Sequence, residues 1–116
     1  MSWAALAAAL LAIAVMLGAF GAHGLRSRLD AYAMEVYQKA VFYHFIHALG
    51  LLVISLVPRT ANLLAVQILL VAGIAIFSGS LYILAITGIR ALGAITPFGG
   101  LAFIAAWLLL AWSLRH

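Results

Sequence analysis

The chain has 116 residues, 69% of them hydrophobic and 7% charged, with a net charge of +4 and no cysteine. A soluble domain carries about 25% charged residues, and a soluble chain of this size still leaves about a third of its surface wet, so most of these side chains must have lipid as their solvent. The six basic residues all flank apolar runs, the pattern of membrane orientation rather than of nucleic-acid binding; without cysteine there is no disulfide, thiolate metal site or thiol nucleophile.

Trp3 to Ala22 is the first apolar run, and it is long enough to cross about 30 Å of hydrocarbon. It lacks a basic leading region and exceeds the usual signal-peptide core, so it reads as a retained span. Two rows of small residues, Ala4, Ala8 and Ala12, then Ala14, Gly18 and Ala22, let helix backbones approach closely in lipid, first of all within one chain. Gly24 is expected to end the helix in the left-handed conformation with Leu25 as the following contact, leaving His23 in the last turn. Asp30 suits the N-cap of a helix starting at Ala31. Leu29, Tyr32, Ala33, Val36 and Tyr37 recur at helical spacing, so a short amphipathic segment is expected at the interface, with Tyr32, Tyr37 and Lys39 in its belt.

Ala40 to Val57 is the second span, closed by Pro58 and Arg59. Leu63 to Ile86 is the third, with Ser78, Ser80 and Tyr82 in its later half. After a loop holding Arg90, Thr96 and Pro97 read as N-cap and first residue of the last span, Phe98 to Leu114. The expectation is a single all-α domain over residues 1–116, an integral membrane four-helix bundle with an interfacial segment before span two. The first and third loops carry Arg26, Arg28, Lys39 and Arg90, against Arg59 and Arg115 on the other side. The basic excess places those loops in the cytoplasm and both termini outside.

His44 and His47 lie near the middle of span two, three residues apart on one face, with Tyr43 four residues before His47. An ionisable group at that depth is costly and faces the bundle interior or a functional path. Three uses compete. The histidines act as neutral polar glue to Ser78, Ser80 or Tyr82, which lie at matching depth on the antiparallel third span. Alternatively they form a small transporter or proton pathway. Or His23, His44 and His47 supply nitrogens to a metal or haem, although no carboxylate or thiolate completes that ligand set. Arg26, Arg28, Gly99 and Gly100 are candidates for a lipid phosphate, the glycines through free backbone N–H groups; close packing against the alanine-rich first span also accounts for the glycines. No nucleophile motif accompanies the serines and histidines, and the glycines spaced by three do not follow a strand, so enzymatic function is not expected.

The strings GAFGAHGL at 18–25, AYAMEVYQKAVFYHFIHALGLL at 31–52 and ITPFGG at 95–100 together resemble the domain of unknown function 423 family, the YgdD-like small bacterial inner-membrane proteins, with transmembrane protein 256 as a eukaryotic relative. The resemblance runs over essentially the whole chain and implies a four-helix inner-membrane protein. It implies no activity, and no cofactor is expected. The expected partners are the bilayer, other membrane proteins and further copies of the chain, in a structural or accessory role.

Overall fold

The computed structural model describes residues 2–115. Four helices follow one another: α1 (Trp3–Leu25), α2 (Ala31–Leu56), α3 (Leu63–Thr87) and α4 (Arg90–Leu114), each long and apolar enough to cross a membrane. Packing runs in chain order, α1 on α2, α2 on α3 and α3 on α4, while α1 and α4 meet only marginally. The molecule measures 49 × 26 × 22 Å. Its core holds Ala48, Leu51, Val66, Leu70, Phe103 and Ala106. Outside, Met16, Phe42, Leu56, Phe98, Leu101 and Leu108 stand exposed all round. Such continuous apolar surface belongs in lipid.

The caps explain where the helices start. The Ser2 hydroxyl accepts from the Ala5 N–H at 3.1 Å, and the Asp30 carboxylate accepts from the Ala33 N–H at 2.8 Å. The expected interfacial segment runs directly into span two as the opening of α2, whose 26 residues are unbroken. At 1.5 Å per residue such a helix reaches about 39 Å, so its first turns extend beyond the hydrocarbon.

Three expectations are corrected. Gly24 does not end α1 in the left-handed region; the helix widens into a π turn over Gly21–Leu25 and ends there, with Arg26 as its C-cap in the right-handed region. The glycine is there for space, because a Cβ at 24 would lie 2.9 Å from the Phe20 ring. The left-handed stop occurs at Gly88, φ 74°, whose N–H closes α3 on the Leu84 carbonyl. Thr96 is already helical, with Ile95 in the cap position and Pro97 following; its hydroxyl turns to Ser80 Oγ at 2.6 Å and is not free to cap.

The third correction concerns the small residues. Of the first row Ala8 and Ala12 face outward, while Ala7, in neither row, is buried; of the second row Ala14 is buried as expected and Ala22 is exposed. Gly99 packs on α3, not on α1: a Cβ there would meet Phe77 backbone atoms. The backbones of α3 and α4 therefore approach closely at this crossing, beside a second π turn at Ile74–Ser78.

Candidate functional site

The regular turn of α2 puts His44 and His47 on its inward face, 3% and 5% exposed. The His44 Nδ1 lies 2.8 Å from the Tyr82 hydroxyl on α3. Its Nε2 is buried without a hydrogen-bond partner. The Tyr82 ring meets Tyr37 edge-on at 5.4 Å, and the Tyr37 hydroxyl donates to the Leu17 carbonyl. One polar line thus ties α1, α2 and α3.

His47 is held differently. Its Nδ1 donates to the Tyr43 carbonyl one turn back at 2.8 Å, which fixes the proton on that nitrogen. Its ring stacks on Phe103 of α4 at 3.5 Å between centroids and lies parallel to Tyr43 at 5.9 Å. His44 therefore joins α2 to α3 by a hydrogen bond, and His47 joins α2 to α4 by ring contact.

The serines expected to meet these histidines do not. Ser78 donates to the Ala40 carbonyl at 2.8 Å, still bridging α3 to α2, and Ser80 donates to the Phe77 carbonyl. A short hydroxyl side chain reaches the nearest backbone acceptor first. His23 is exposed on the π turn of α1. No group of three histidines or acids gathers among the described residues, so the three-nitrogen ligand set is not assembled.

The lipid-phosphate candidates are also separate. Arg26 sits at the rim of a groove between α1 and α2 floored by Gly18 and Gly21. Arg28 belongs to another cleft, with Asp30, Thr87 and Arg90. Gly99 is buried under Phe77. Neither His44 nor His47 lines any of the five best-formed grooves among the described residues.

Sequence reasoning missed two features. Gln67 donates to Ser55 at 3.1 Å, a further α3-to-α2 tie that an amide inside an apolar run signals. The other is the pairing of Gly50 with Trp107 beneath Arg59 and Thr60; only the Pro-Arg-Thr string at the end of span two marked that region.

The fold and this interior define a small, four-span integral membrane protein. Residues 17–100 match the family model described as "Protein of unknown function (DUF423)", and the chain belongs to that family. It is similar to a UPF0382 membrane protein of Staphylococcus haemolyticus, 55% identical over 95 residues covering 80% of this chain and 78% of the relative. It is also similar to the UPF0382 membrane protein YwdK of Bacillus subtilis, 48% identical over 102 residues covering 84% and 83% of the two chains. No solved structure matches.

Proposed function

We propose that this chain is a non-enzymatic accessory protein of the bacterial inner membrane that binds lipid or other membrane proteins, self-associates, and holds both termini outside. The observation that carries the reading is the sealed state of the histidine pair. His44 is engaged with Tyr82 and His47 with the Tyr43 carbonyl and the Phe103 ring. A proton or ion pathway needs such groups to reach water from at least one side, and these are buried and line none of the five grooves described. Their Nδ1 atoms are engaged by different partners, which supports a role without metal or haem. The outward small-residue row of α1 supports association between copies, and the basic excess on the first and third loops supports the orientation.

The test is flux. Purified protein in vesicles with an internal pH dye is expected to give proton and alkali-cation leakage equal to that of empty vesicles. A flux that His44→Leu or His47→Leu abolishes would overturn the accessory reading in favour of transport.

A further inference from the structure

A groove of about 740 Å³ runs between the later half of α2 and α4. Its walls are apolar, with Val53, Ile54, Trp107 and Leu110 among them, and its floor is Gly50. A Cβ at position 50 would lie 2.6 Å from Trp107 Cη2, so the indole rests against the bare backbone of α2 and leaves a trough beside it.

The polar end of the trough is built from Arg59 and Thr60. Arg59 is exposed, and the Thr60 hydroxyl is buried with no hydrogen-bond partner. Arg115, the other arginine at this end, is already occupied: its guanidinium lies 3.5 Å over the Trp112 ring and donates to the Trp112 carbonyl at 3.0 Å. The chain's two acids, Asp30 and Glu35, sit at the opposite end of α2 and line other clefts. The groove therefore combines an apolar trough with one cation and one orphan hydroxyl, and among the described residues no carboxylate lines it.

We infer that this groove binds a phospholipid with a net-negative headgroup. The acyl chain lies beside Gly50 and Trp107, and the phosphate accepts from the exposed Arg59 guanidinium and, once the Thr60 side chain turns outward, from its hydroxyl. The assignment rests on the accessory, lipid-binding reading and names its site and headgroup. Lipid is the occupant because the trough ends in an un-neutralised charge where headgroups begin, and an anionic phosphate satisfies both polar groups together.

Trp107 is a reporter inside the groove. The full chain carrying Trp3→Phe and Trp112→Tyr keeps Trp107 as its one tryptophan and an aromatic ring under Arg115. It is reconstituted in phosphatidylcholine vesicles containing brominated phosphatidylglycerol or brominated phosphatidylcholine. Half-quenching should need roughly fivefold less of the anionic lipid, the preference that one arginine gives at an anionic surface. Arg59→Gln should remove the preference, Arg59→Lys keep it and Thr60→Val reduce it. Val53→Phe should lower quenching by both lipids. Circular dichroism checks that each variant is folded. Equal quenching by the two lipids, or a preference that survives Arg59→Gln in folded protein, would overturn the assignment. If vesicle flux stays silent in that event, the lipid site falls and the accessory reading stands.

Discussion

Gly99 and Gly100 are neighbours in α4, yet substituting each by alanine should have opposite effects. A Cβ at 99 would lie 2.7 Å from Phe77 Cα, against backbone that no rotamer change can move. Ordinary carbon contacts are about 3.5–4.0 Å, so α3 and α4 must separate by on the order of 1 Å. Overpacking of this kind costs about 1–3 kcal/mol, and a backbone collision belongs at the upper end. Alanine recovers up to about 1 kcal/mol of helix propensity, for a net loss of about 2 kcal/mol. At position 100 the nearest atom is 3.8 Å away, an ordinary contact, so Gly100→Ala should be neutral or slightly stabilising. Unfolding in mixed dodecylmaltoside and dodecyl sulfate micelles, followed by circular dichroism, compares the two directly. Equal stability of Gly99→Ala and Gly100→Ala would refute the close crossing of α3 and α4.

Further outcomes follow from the same contacts. A double-mutant cycle on His44→Leu and Tyr82→Phe should give a coupling near 0.6 kcal/mol and no more than about 1.7 kcal/mol; zero coupling would remove the α2-to-α3 bond from the account. His47→Phe, which keeps a ring on Phe103, should retain more stability in thermal melts than His47→Leu, which should lose about 1 kcal/mol; the reverse order would mean that the imidazole nitrogen, not its face, matters. The chain is free of cysteine, so Ala8→Cys and Ala12→Cys can be oxidised selectively: disulfide-linked dimers are expected in vesicles, and persistent monomer would leave that row to lipid. A reporter fused after Arg115 should be active outside the cell, while labelling of Ser27→Cys should need a reagent that enters the cytoplasm; activity confined to the cytoplasm would reverse the orientation.

The four spans were legible because hydrophobicity and length alone select membrane helices. Which face of each span is buried was not, since lipid and protein interior are equally apolar and leave no amphipathic stripe to read. That is why the row Ala4, Ala8 and Ala12 looked like packing surface although Ala8 and Ala12 face outward and Ala7, in neither row, is buried. Gly24 looked like a stop signal because glycine serves both left-handed turns and tight space, and the Phe20 ring decides between them only in three dimensions. Within the candidate site, the His44–Tyr82 pairing followed from matched depth on antiparallel spans. Ser80 departed from expectation because its local Phe77 carbonyl competes at shorter reach, and Ser78 because the Ala40 carbonyl across the α2–α3 contact takes its hydroxyl. The Arg59 groove was hidden because Gly50 and Trp107, 57 positions apart in the numbering, form its floor and wall.

The central claim is that His44 and His47 are sealed parts of the bundle. Chemical acylation of imidazole by diethylpyrocarbonate in intact vesicles, read by peptide mass spectrometry, tests it most directly, with exposed His23 as the internal positive control. His23 should be modified while His44 and His47 stay protected until dodecyl sulfate unfolds the helices. Modification of His44 or His47 at the rate of His23 in the folded protein would contradict the claim and open a water path to the histidine pair.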